Sequence, residues 1–230
     1  MQNSQKAGAI GALVAAGTFV IGLAMYATVL LDYTASTDPS TSVAFLAEHH
    51  LALYAWNIII TIVFGIAMVP LVLALRDRSK AGAPALSRAA AVFGLIWVGL
   101  IMATGMIVNV GFESVLRLNE TDPAMAAPVW AAVDTVANGL GGGNEIVGGI
   151  WVLLVTAAAS RTRALARWIG HLGLGTGLAG LVTVIPGLQD VGAVFGLSLI
   201  VWFAAVGVTL LRTPRGAGHT SLPEAARSAA

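Results

Sequence analysis

Long apolar stretches alternate with short polar segments along this sequence. An apolar run of about 18 residues or more is typical of a helix that crosses a bilayer, whose hydrocarbon core is about 30 Å thick. Turn-forming and basic residues separate the runs, as in DYTASTDPSTS and RDRSKAGAPALSR. The first run is longer than the roughly 7–15 apolar residues of a signal peptide, so we expect a retained helix. The six predicted spans cover residues 7–31, 50–75, 89–111, 128–159, 168–185 and 190–211.

Composition favours the same class, an all-α integral membrane protein. The chain is 57% hydrophobic and 10% charged, with a mean hydropathy of +0.87, whereas soluble domains carry about 25% charged residues. The net charge of +1 says nothing about nucleic acid, but the chain has no basic stripe of the kind that DNA binding needs, so we predict no nucleic-acid partner. Because the chain has no cysteine, disulfides, thiolate metal sites and cysteine nucleophiles are excluded.

The basic residues predict the orientation of the bundle. Of the 12 Lys and Arg residues, all except Arg117 fall at the termini and in the connectors of one side. The positive-inside rule makes that side cytoplasmic, so we predict a multi-pass protein of the inner or plasma membrane with both termini in the cytoplasm. Residues 1–212 form the transmembrane domain. Residues 213–230, rich in Gly, Pro, Ser and Ala, are predicted to be a disordered cytoplasmic tail.

The fourth predicted span carries the clearest candidate site. Trp130, Asp134, Asn138, Glu145 and Gly149 follow at steps of four, four, seven and four, which places them on one face of a continuous helix. Three consecutive glycines between Asn138 and Glu145 allow the helix to break there. An ionisable group at membrane depth costs about 2.5–3.5 kcal/mol on insertion scales and normally faces a cavity or a partner.

Polar residues on the second and third spans are expected to converge with this face in the outer half of the bundle. His50 and Asn57 lie on one face of the second span, while Asn109, Glu113 and Arg117 follow at steps of four on the third. The order of Glu113 and Arg117 favours an ion pair within the helix.

Structural roles explain many of the polar and small residues. Asn57, Asn109 and Asn138 are expected to form hydrogen bonds between helices, and Asp190 is expected to cap the sixth span. Glu48, His49 and His50 are consecutive, so their side chains diverge by about 100° on a helix, and we predict no metal site and no cofactor. Glycines that should let helices approach closely are Gly148, Gly149, Gly170, Gly173, Gly175, Gly177 and Gly180.

Three functional hypotheses follow. The first is a pocket, open to the outer leaflet, for a membrane lipid or another lipophilic or small amphipathic molecule. In an enzymatic form, Glu145 or Asp134 would be a general acid or base, for example in isomerisation or cyclisation of an isoprenoid. The second is a small proton- or cation-coupled transporter, whose small size a homodimer would compensate. The third is a non-catalytic partner or assembly protein. The ligand-binding candidates are Trp130, Asn138, Asn144, Trp151, His50, Asn57, Asn109 and Glu113.

Three glycine-rich strings resemble a known family. They are GGGNEIVGGIWVLLV, ALARWIGHLGLGTGLAGLVTVIPGL and GAVFGLSLIVWF. The chain resembles the domain of unknown function 4386 family of small bacterial membrane proteins, from the first span to Leu211. The resemblance implies a single-domain, six-helix membrane fold. It implies no activity, and no catalytic residue can be transferred from the family.

Overall fold

The computed structural model describes residues 2–31, 38–142 and 145–212, and every regular element in these ranges is helical. The predicted tail, 213–230, lies outside the described residues. The α-helices are α1 (Gln2–Tyr26), α2 (Pro39–Asn57), α3 (Phe64–Ser79), α4 (Pro84–Thr121), α5 (Pro123–Ala137), α6 (Ile146–Thr162), α7 (Arg167–Val182) and α8 (Val191–Arg212). Two segments are π-helical. Ile58–Val63 joins α2 to α3, and Asn138–Gly142 follows α5.

Five stretches of the described chain are long and apolar enough to cross a membrane. These are Asn3–Tyr26, Pro39–Ser79, Pro84–Thr121, Pro123–Thr162 and Val191–Arg212. The remaining predicted span corresponds to α7, which has 16 residues and therefore rises about 24 Å, less than the hydrocarbon thickness of about 30 Å. The all-helical class is confirmed for the described residues, and these five stretches are compatible with the predicted membrane bundle. The sixth crossing and the orientation stay predictions.

The basic residues gather at one end of the bundle. Gln5 Nε2 donates to the Leu210 carbonyl at 2.7 Å, which joins the start of α1 to the end of α8. Arg78 Nε donates to the Ala164 carbonyl at 2.9 Å, and Ser87 Oγ donates to the Arg76 carbonyl at 2.8 Å. These bonds bring the ends of α3, α6 and α8 together with the starts of α1, α4 and α7. We call this the basic end.

Buried side chains form two separate clusters. The larger one, towards the basic end, is centred on aromatic residues such as Trp97, Trp151 and Trp202. The smaller one contains Phe112 and Trp130 together with buried aliphatic side chains of α2 and α4. We call the half of the bundle that contains the larger cluster the basic half, and the half that contains the smaller cluster the outer half.

Glycines hold α6 and α7 at backbone contact. A Cβ added to Gly149 would lie 2.8 Å from the Gly177 carbonyl oxygen, and one added to Gly180 would lie 2.9 Å from the Gly149 Cα. Since no side chain fits between these helices, the predicted close approach is confirmed here. It is wrong for Gly170 and Gly175, where a Cβ would meet no atom of the described chain within 4 Å.

Candidate functional site

The stretch predicted as the fourth span is interrupted next to Glu145. Regular α-helix ends at Ala137, a π-helical segment follows, and Gly141 has a φ of +139° before α6 begins at Ile146. Only glycine adopts that φ without a steric penalty. The helix therefore breaks at the position where the glycine run made a break possible. The candidate Asn144 lies outside the described residues.

Contacts with α7 fix the backbone of Glu145. Its N–H donates to Thr183 Oγ1 at 2.9 Å, and that hydroxyl donates in turn to the Gly180 carbonyl at 2.7 Å. Thr183 is 2% exposed, so this link is shielded from solvent. The Glu145 carbonyl accepts from the Gly149 N–H at 2.8 Å and starts α6. Sequence reasoning missed Thr183, because nothing in a sequence relates it to a residue 38 positions earlier.

The Glu145 carboxylate, by contrast, has no protein partner among the described residues. No hydrogen bond or ion pair to its side chain occurs within the described ranges, and the residue is partly buried. Three residues further on, near the start of α6, the surroundings are aromatic: a Cβ on Gly148 would lie 2.7 Å from the Trp97 ring and 3.0 Å from Phe195 Cζ. A carboxylate within a span normally has a partner. We therefore expect the Glu145 carboxylate to contact a group from outside the described chain.

Trp151 occupies the aromatic cluster. It is fully buried, with ring centroids 5.7 Å from Trp97, 5.5 Å from Trp202 and 6.2 Å from Phe203. Neighbouring rings cover this indole in the structure, and its predicted contact with a ligand stays a prediction. Its Nε1 has no hydrogen-bond partner among the described residues.

The predicted common face of Trp130, Asp134, Asn138 and Glu145 is not preserved. Trp130 is 4% exposed and stacks on Phe112 with centroids 5.2 Å apart. Asp134 and Asn138 are exposed, and Asn138 Nδ2 donates to Asp134 Oδ2 at 2.9 Å. A step of four residues turns about 40° beyond a full helical turn, which moves Asp134 off the packed face. The break at Gly141 then resets the phase before Glu145.

Asn57 and Asn109 form a separate polar contact between helices. Asn57 Nδ2 donates to the Gly105 carbonyl at 2.9 Å and to Asn109 Oδ1 at 2.8 Å, while Tyr54 Oη donates to the Asn109 carbonyl at 3.2 Å. The predicted interhelical role is confirmed for Asn57 and Asn109. It is wrong for Asn138, which bonds to a residue one turn earlier on the same stretch of chain.

This polar contact lies at a different level from Glu145. The break touches α4 at Ile101, and the start of α6 touches it at Trp97. Asn57 instead binds α4 at Gly105 and Asn109, which are about 6–18 Å further along the helix. The expected convergence of the polar faces with Glu145 therefore does not occur.

The ligand-binding candidate His50 is exposed on the surface of α2, and its predicted role stays a prediction. Two other sequence predictions differ from the structure. Glu113 and Arg117 are both exposed and form no ion pair within the described residues, since two solvated side chains gain little from holding one geometry. Asp190 does not cap α8 with its side chain; its backbone carbonyl accepts from the Ala193 N–H at 3.1 Å.

Comparison with known proteins adds no family and no fold relative. No family model, curated protein or solved structure matches the chain. The resemblance to the domain of unknown function 4386 family therefore stays a prediction.

Proposed function

We propose that this is an integral membrane protein that binds a small amphipathic or lipophilic molecule at Glu145. The observation that carries the proposal is a carboxylate inside a candidate span, beside a helix break, with no partner among the described residues. A carboxylate accepts hydrogen bonds and attracts cations, so the ligand carries a hydrogen-bond donor or a positive charge. Its apolar part packs against the side chains around the break.

Binding is better supported than catalysis. The enzymatic version, in which an isoprenoid cation forms, needs aromatic faces open to the ligand. Trp130 and Trp151 are both packed in the clusters, with 4% and 0% exposure. Asp134 is paired with Asn138 on the surface and does not join Glu145. Of the two predicted catalytic residues, only Glu145 could then act on a substrate at this site.

The test is native mass spectrometry of gently purified protein, with extraction of the bound molecules. Wild type is compared with Glu145→Gln and with Glu120→Gln, which makes the same change at an exposed residue near the end of α4. We expect one small molecule bound to the wild type and to Glu120→Gln, and its loss from Glu145→Gln. Equal retention in all three proteins, or bulk phospholipid alone, would contradict the proposal.

The helix break favours a second candidate, proton- or cation-coupled transport. Discontinuous helices place backbone groups and carboxylates at the ion sites of many transporters, and Gly141 interrupts the helix inside the candidate span Pro123–Thr162. Proteoliposomes containing a pH-sensitive dye test it. Transport predicts proton flux in the wild type and in Glu120→Gln, and a loss of that flux in Glu145→Gln. Flux that is the same in both variants would exclude a carrier role for Glu145.

A further inference from the structure

A groove on the outside of the bundle, at the basic end, is separate from Glu145. It lies between the start of α7 and the second half of α8 and encloses about 660 Å³. Its lining is apolar apart from Thr209 and Arg212. Because the Thr209 hydroxyl already donates to the Ala205 carbonyl at 2.8 Å, Arg212 is the charged group that the groove offers to a ligand.

The shape of the groove fits an extended hydrocarbon chain. Val201, Ala204, Ala205 and Val208 form a strip along α8 that ends at Arg212. The alanines leave room between the two valines, which are 52% and 37% exposed. From Val201 to Arg212 the helix rises about 16 Å, close to the roughly 15 Å that one leaflet contributes to the hydrocarbon core. The strip is thus long enough to span one leaflet, and it ends at a cation.

The charge of this end selects an anion. Arg212 and Arg167 form no ion pair within the described residues. The acid at this end of the described chain, Asp77 in the last turn of α3, is engaged by Arg76 at 3.7 Å and Lys80 at 2.9 Å. Trp168, which is 55% exposed and lines the mouth of the groove, is a residue type enriched at the membrane–water interface.

We propose that the groove binds one anionic phospholipid of the leaflet on the basic side. The Arg212 guanidinium holds the phosphate, since its planar fork matches phosphate oxygens. One acyl chain lies along the strip of α8, and Trp168 sits at the level of the glycerol backbone. Basic pockets between membrane helices on the cytoplasmic side are sites of this kind. The inference is independent of the ligand proposed for Glu145.

The experiment uses the full-length protein in nanodiscs that contain equal amounts of phosphatidylglycerol and phosphatidylcholine. Native mass spectrometry after release from the disc measures the ratio of the two lipids retained per protein. The wild type should retain one phosphatidylglycerol. Arg212→Gln should lower the ratio about fivefold, the effect of one basic residue near a charged surface. Arg161→Gln, an exposed arginine at the same end but outside the groove, should leave it unchanged.

A second pair of variants tests the apolar part of the site. Ala204→Leu fills the strip and should release the retained lipid, whereas Ala193→Leu, at an exposed position near the other end of α8, should not. Equal effects of Arg212→Gln and Arg161→Gln would mean that general attraction at the basic end accounts for the ratio and would overturn the site. Displacement of the lipid by glycerol 3-phosphate would show that the headgroup alone is bound and that the groove has no role. That result would also overturn the proposed lipid site.

Discussion

Replacing Gly180 with alanine tests whether backbone contact between α6 and α7 holds the broken helix in place. An added Cβ would lie 2.9 Å from the Gly149 Cα, 2.9 Å from Phe195 Cε2 and 3.0 Å from the Glu145 carbonyl oxygen. Ordinary contacts begin near 3.4 Å, so α6 and the Phe195 ring must retreat by about 0.4–0.5 Å. Overpacking of this kind destabilises by about 1–3 kcal/mol.

Gly175→Ala is the matched control for this variant. Gly175 lies on the same helix, and an alanine Cβ there would meet no atom of the described chain within 4 Å. Both substitutions gain the same helix propensity, about 1 kcal/mol, so the difference between them isolates the contact. We expect Gly180→Ala to be less stable than Gly175→Ala by about 1–3 kcal/mol.

The free energy of unfolding is measured in mixed micelles by denaturant titration with tryptophan fluorescence. Comparing the two alanine variants with each other removes the uncertainty of extrapolating to zero denaturant. Equal stability of Gly180→Ala and Gly175→Ala would show that α6 and α7 are not in backbone contact. Gly180→Ala should also weaken the binding of any ligand that Glu145→Gln fails to bind. The reason is that the added Cβ displaces the backbone carbonyl of Glu145.

Three further outcomes are expected. Asn57→Leu removes two hydrogen bonds to α4 and should lower the free energy of unfolding by about 1 kcal/mol; an unchanged denaturation midpoint would show that these bonds add nothing. Thr183→Val removes the acceptor of the Glu145 N–H and should speed hydrogen exchange at that amide, whereas Thr183→Ser, which keeps the hydroxyl, should restore protection. The Thr41 hydroxyl and backbone N–H donate to Asp38 and hold the pKa of that carboxyl below its ordinary value of 3.8. The ionised Asp38 cap therefore stabilises the start of α2 above about pH 4, and this stabilisation is lost as pH falls through the lowered pKa. The hydrogen-exchange protection factor of the Thr41 amide should fall in acid for the wild type but not for Asp38→Asn.

Much of the helical fold is predictable because span length and hydropathy are local properties. The predicted span at residues 89–111 falls within α4, and the span at residues 190–211 matches α8 except for its first residue. The helix break was left open by the sequence, since a glycine run permits a bend without requiring one. The sequence also could not show that α7 is shorter than the predicted span at residues 168–185. The last residues of that span form turns, which continue to Asp190.

The candidate site was harder to predict because side-chain direction depends on helical phase. Trp130 and Asp134 differ by about 40° around α5, and that small angle separates a buried indole from an exposed carboxylate. Asn57 and Asn138 have the same chemistry, yet one bonds to another helix and the other to its own stretch of chain. Only the arrangement of neighbouring helices decides between those partners.

The two π-helical segments meet α4 about one helical turn apart. Thr61, in the first, meets α4 at Gly105, and Gly141, in the second, meets it at Ile101, about 6 Å away along the helix axis. Helices bend at π-helical insertions, and both insertions fall between the two buried clusters. α4 passes both insertions as an uninterrupted helix, and α1, also uninterrupted, meets the first one where a Cβ on Gly22 would lie 2.7 Å from Ile60 Cγ2. We therefore expect these two helices to resist bending of the bundle at the level where the other two spans carry their insertions.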